Sequence, residues 1–159
     1  MKLYHASRVP NLKVLKPFTH KAVDNEKVVF ASDNMIFALA MTYGSGDVIA
    51  VSYGNNQKLY IDELKENSLD LLNKSGYLYI LDNKDFKKDP RLYEDEYISY
   101  NEVEVLEEIY IDNVLDKLKE LGAILVKYEN VLDSMKKRGK FPKNPKIHHK
   151  ENRFGEIKY

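Results

Sequence analysis

The feature that most constrains this chain is how its apolar residues are dealt out. They come in short runs rich in β-branched and aromatic side chains, with helical patterns inserted singly between them. Lys2 to His5, Lys27 to Ala31, Asp47 to Tyr53, Tyr77 to Leu81, Tyr97 to Ser99, Val103 to Ile111 and Ala123 to Val126 each read as strands. Only Met35 to Met41 and Asp112 to Leu121 carry a clear helical pattern, with a shorter one near Leu64 to Leu72. A doubly wound parallel sheet needs a regular strand–helix–strand rhythm, and none is present. The pattern predicts an α+β fold with a largely antiparallel sheet.

Local punctuation supports these elements. Ser32-Asp33-Asn34 is helix-start chemistry ahead of Met35. Apolar nearly all round, the Met35 to Met41 segment is expected to be buried. It ends near Tyr43-Gly44-Ser45-Gly46, and Gly122 closes the helix whose stripe is Val114, Leu115, Leu118 and Leu121. Gly54-Asn55-Asn56 reads as a turn, residues 57 to 67 stay open between strand and helix, and Ser7 to Pro17 and Lys84 to Glu94 read as loops. The spacing leaves the register of Val103 to Ile111 open. The expected organisation is one domain over 1–135 and a basic C-terminal segment over 136–159. Within Lys136 to Lys150 seven residues are Lys or Arg, none is acidic, and Pro142 and Pro145 interrupt.

Composition removes several kinds of function. With no cysteine, disulfides, zinc–thiolate sites, iron–sulfur clusters and a catalytic thiol are excluded. The 25 basic and 25 acidic side chains cancel, so no global field draws the chain to nucleic acid or a membrane. The longest apolar run is far shorter than the roughly 20 residues of a membrane span. A soluble, cytoplasmic protein is the expectation. Histidines 5, 20, 148 and 149 make no metal-ligating spacing, and no metal is expected. No phosphate-binding loop, dinucleotide fingerprint or nucleophile elbow is present. Lys136 to Lys150 is the one segment that suggests weak nucleic-acid contact, accompanied only by Phe141 as an aromatic.

Three short segments stand in a telling order. Tyr4-His5-Ala6-Ser7 comes first. Val29-Phe30-Ala31-Ser32 then runs into an Ala-containing helix with Tyr43 at its end, and Glu96-Tyr97-Ile98-Ser99 follows. Over roughly residues 2 to 125 this order resembles the ADP-ribosyltransferase superfamily, and its small bacterial members in particular. The resemblance implies two small, mostly antiparallel sheets in a split barrel with flanking helices, and Ser32 to Tyr43 as a helix beside a cleft. It implies NAD as substrate and a His-Tyr-Glu set, in which His5 and Glu96 are catalytic and His5, Ser7, Arg8 and Tyr43 bind NAD. Glu94 and Glu102 are rivals to Glu96. Two positions depart from the family: Ala6 stands where it has Gly, and Val29 where its second strand carries Tyr.

The implied activity is ADP-ribosyl transfer to an intracellular acceptor: a protein, a nucleic acid or a small molecule. Two alternatives stay beside it. One is a catalytically silent binding module of the same fold, favoured by Val29. The other is an NAD-dependent RNA 2′-phosphotransferase, disfavoured because the chain has only four arginines: Arg8, Arg91, Arg138 and Arg153.

Overall fold

A computed structural model describes residues 1–43 and 47–139. The described residues fall into two compact units, each built from two stretches: 1–42 with 75–112, and 43 and 47–74 with 113–139. The α+β class expected from the run pattern is observed, strands predominating over short helices.

The first unit holds strands β1 (Leu3–Ser7), β2 (Val14–Leu15), β3 (Phe18–His20), β4 (Glu26–Ser32) and helix α1 (Met35–Ala40). The second unit opens with β5 (Ile49–Tyr53) and β6 (Leu59–Glu63), after which β7 (Gly76–Leu81), β8 (Glu96–Ser99) and β9 (Val103–Ile111) return to the first. The first unit's strands make one curled antiparallel sheet in the order β2-β9-β7-β1-β4-β3, with β8 also on β4. β7 pairs along its length with both β1 and β9, and five of its six residues are buried. That is why it reads as a continuous apolar run.

Alternation sorts the side chains onto two faces. Leu3, Val29, Ala31, Tyr79, Leu81 and Tyr97 share one face and pack with Leu15 and Val103 into the main core of this unit. Val28, Phe30 and Ile98 lie on the other face, beneath Val23 and Leu92. Where β7 meets β9 the register shifts, so Ile80 opposes Glu107 and Leu81 opposes Val105. Leu106 is the extra residue of that bulge and is exposed. The slip is why simple alternation left the register of this segment open. Two elements fall in stretches read as loop or left unassigned: β2, only two residues long, and β3, which pairs with the start of β4.

α1 starts where the cap chemistry placed it. Asn34 Oδ1 accepts the amides of Ile36 (2.9 Å) and Phe37 (3.4 Å). The helix is shorter than the expected Ser32 to Tyr43 span, and Met35 and Ile36 are half-buried rather than enclosed.

In the second unit β5, β6 and β10 (Ile124–Val126) make a three-stranded sheet, with helices α2 (Val114–Glu120) and α3 (Val131–Lys137). β5 is antiparallel to β6 but β10 is parallel to it, so this sheet is mixed rather than antiparallel. A parallel partner requires a crossover, and the stretch 64–123 supplies it. Gly122 ends α2 at φ +94°, the left-handed geometry its sequence position suggested. The core here is Leu64, Val126, Val131 and Met135.

α3 runs through the boundary expected at 135/136, and Arg138 just beyond it is 3 % exposed. Its guanidinium donates through Nη2 to both oxygens of Asp62 (3.0 Å each) and lies 4.1 Å from the centroid of the Tyr60 ring. The first residues of the basic segment are thus integral to the second unit, while 140–159 lie outside the described residues. Gly54 is needed on the far side of this stack: a Cβ there would meet Tyr60 Cε2 at 2.6 Å. No helix among the described residues is long and apolar enough to cross a membrane.

Candidate functional site

The site begins from a fork in the first sheet. β1 pairs with β7 at five consecutive positions but with β4 at one, Tyr4 opposite Ser32. The other edge of β4 pairs with β8 over Val29 to Ser32, and its first residues pair with β3. The strands carrying the first two motifs thus part company beyond Tyr4 and Ser32.

His5 sits at the apex of that fork. Its Nδ1 lies 2.8 Å from the Phe30 carbonyl oxygen. A carbonyl can only accept, so Nδ1 carries the proton. Burial pushes the imidazole below its usual 6.5, outweighing the Phe30 bond that works the other way. At neutral pH the ring is uncharged, and Nε2 is its acceptor nitrogen.

Glu96 completes a row across three strands. Ser32 opposes Tyr4 on one side and Glu96 on the other, so Tyr4, Ser32 and Glu96 share one face. Ser32 is buried, Tyr4 and Glu96 half-buried. The Ser32 hydroxyl accepts the Asn34 amide (3.0 Å), which ties the row to the start of α1. No hydrogen bond or ion pair to the Glu96 carboxylate exists among the described residues. Burial first, and the neighbouring Asp95 charge second, raise this carboxyl from 4.5 to about 7. Its rivals differ: Glu94 is exposed in the preceding turn, and Glu102 is exposed beside Asp82, Asp85 and Glu104 around another depression.

The strand bearing Glu96 is held from several sides. Lys87 exchanges two backbone bonds with Ile98 (2.9 Å each), and Asp33 N–H donates to the Asp95 carbonyl (3.2 Å). Arg91 pairs with Asp89, Glu26 and Asp24, tying the charged loop before Glu96 to the start of β4. Tyr97 points into the core and donates its hydroxyl to Asp33 Oδ2 (3.1 Å).

The residues selected from sequence are not all brought together. His5 is one position beyond Tyr4, so its Cβ leaves β1 on the face opposite Glu96, and the ring reaches back into the fork. Ser7 ends β1, and its Oγ accepts the Val9 amide (3.1 Å) in a short turn, with exposed Arg8 between them. Tyr43 belongs to the second unit, where the Lys74 ammonium lies 5.1 Å from its ring centroid.

Val29 is 1 % exposed and points into the core; Phe30 faces the Glu96 side. Phe30 is half-buried and meets His20 edge-on at 4.7 Å between centroids, with Phe18 6.1 Å away. Sequence reading passed over Phe18, His20 and Phe30 as a group. The signal was present in the alternation, since residues two apart on β4 share a face. The pairing of β3 that brings Phe18 and His20 there is a tertiary fact.

No group of three or more metal-ligating side chains is found among the described residues. No family model, no curated protein and no solved structure matches the chain.

Proposed function

We propose that the chain binds NAD at the fork and transfers its ADP-ribose to an acceptor. The observation that carries this reading is Glu96: a half-buried carboxylate with no partner among the described residues, one strand from the fork that holds His5. Leaving such a group unpaired is costly, and it is tolerated where a ligand supplies the missing partner. In the reaction the bond from nicotinamide nitrogen to the ribose carbon breaks, its electron pair leaving with nicotinamide. The acceptor's nucleophilic atom bonds to the same carbon and gives up a proton. Positive charge builds on the ribose between these events. An ionised Glu96 bonded to a ribose hydroxyl stabilises it. His5, neutral and with Nε2 accepting, anchors a second hydroxyl and holds the dinucleotide in place. Phe30, with His20 and Phe18 beside it, offers the Glu96 face an aromatic surface that Val29 does not.

A silent binding module is the second reading, and the pleat favours it: His5 and Glu96 leave their strands on opposite faces. The RNA 2′-phosphotransferase reading is weaker. Arg91 and Arg138 are engaged in internal ion pairs, leaving Arg8 as the exposed, unpaired arginine among the described residues.

Nicotinamide release from NAD, with and without cell extract as acceptor, tests the proposal, alongside calorimetric NAD binding. His5→Ala is expected to weaken NAD binding as well as turnover, because it removes an anchor used in ground and transition states alike. Binding without release supports the silent module. Neither binding nor release by the wild-type chain ends the NAD reading.

A further inference from the structure

Directly across β7 from His5 stands Tyr79, and across β9 from Tyr79 stands Glu108. Tyr79 is fully buried. Its hydroxyl donates to the Val9 carbonyl, lies 2.9 Å from Glu108 Oε1, and accepts the Leu12 amide at 3.4 Å. The same Glu108 oxygen accepts the Asn11 amide. Three groups of the segment that leaves β1 thus converge on two side chains far away in sequence. Asn11 has φ 61°, a left-handed conformation that asparagine adopts more readily than most residues, so the segment turns there. Burial first, together with the Glu108 bond and charge, pushes the phenol up to about 12, so it stays protonated as a donor at any physiological pH.

We propose that Tyr79 and Glu108 form a clasp that fixes residues 9–12 and thereby sets where Ser7 and Arg8 stand as a ligand arm beside His5, making Tyr79 a positioning residue. This rests on the NAD reading of His5, Ser7 and Arg8. Tyr79 fits the role because it opposes His5 in register while its hydroxyl ties down the loop beyond. One side chain thereby fixes the arm relative to the strand that bears the imidazole. A phenylalanine would keep the packing and lose only the tie.

The test is Tyr79→Phe in the full chain, read by amide exchange and by steady-state kinetics on NAD. Asn11 and Leu12 amides should lose protection while those of β7 and β9 keep theirs. KM for NAD should rise about fivefold, the size of one lost hydrogen bond, with kcat within about twofold. A merely structural role would not separate KM from kcat. Unchanged protection at Asn11 and Leu12 overturns the clasp, and lost protection with unchanged KM overturns its role in binding. If Tyr79→Phe does not fold, Glu108→Ala at the exposed end of the clasp carries the same measurements, and Glu108→Gln, which keeps an acceptor for Asn11, should restore protection at that amide. If the wild-type chain shows no NAD binding, the parent reading fails and the ligand-arm role with it. Exchange still decides whether the clasp exists.

Discussion

Glu96→Gln separates stability from chemistry and gives the sharpest prediction. The carboxyl ionises near pH 7 in the folded chain against an ordinary 4.5. An acid whose folded value is raised favours its protonated form in the fold. Its contribution to stability is fully present below pH 4.5, declines as the pH rises from there, and is lost above about pH 7. One tenfold change in an ionisation constant is worth about 1.4 kcal/mol, so the loss is at most about 3–4 kcal/mol, reduced by solvent screening at this half-buried site. Glutamine keeps the size and one acceptor and carries no charge. In urea unfolding, Glu96→Gln should match the wild type near pH 4 and exceed it by about 2–3 kcal/mol at pH 8. NAD cleavage should move oppositely. In the wild type it should rise with pH through about 7 as the carboxylate forms, and in Glu96→Gln fall by about 10²–10³ with binding retained. Parallel stability–pH curves for the two proteins would refute the assigned burial of Glu96. The predicted stability curves with unchanged cleavage would leave the burial standing and remove Glu96 from the chemistry.

Val29→Tyr should destabilise the chain by about 1–3 kcal/mol in urea unfolding and leave NAD cleavage no higher, because the ring is forced into a filled core; a gain in cleavage would show the phenol reaching the ligand. Arg138→Met should cost the second unit about 3–5 kcal/mol, since Asp62 is then buried without its partner. Burial already raises the Asp62 carboxyl despite Arg138. Adding Asp62→Asn should recover a large part of the loss, and additive losses in the double mutant would mean the pair is not coupled.

Local signals made much of the fold readable. The Ser32-Asp33-Asn34 start of α1, the Gly122 stop of α2 and the apolar run of β7 are short-range chemistry, and each stands where the residues suggested. What escaped was decided by partners distant in sequence. β3 is Phe-Thr-His flanked by Pro17 and Lys21, too short to show a strand's period, and it is its pairing to Val28, Lys27 and Glu26 that makes it a strand. α3 lies where the chain turns basic, and it is held by Arg138 reaching back to Asp62 and Tyr60. The boundary at 135/136 followed from composition, which records charge but not that one of those charges is buried.

The candidate site shows the same division at finer scale. That His5, Glu96 and the Phe30 strand belong to one neighbourhood was legible in their order. Which side chains share a face was not, because a strand's parity becomes useful only once its register is known. Tyr4↔Ser32↔Glu96 fixes that register, and it exchanges the roles of adjacent residues: Val29 goes to the core and Phe30 to the Glu96 side. It also puts His5 out of phase with Glu96, an arrangement a flat sheet would not reconcile. The fork bears on this, because where β1 and β4 separate the imidazole is bonded to the Phe30 carbonyl of the neighbouring strand. For the transferase reading to hold, a ligand must meet the ring and the carboxylate across the separation of these two strands. The transferase reading therefore requires the fork itself, and not only the residues around it, to be the binding element.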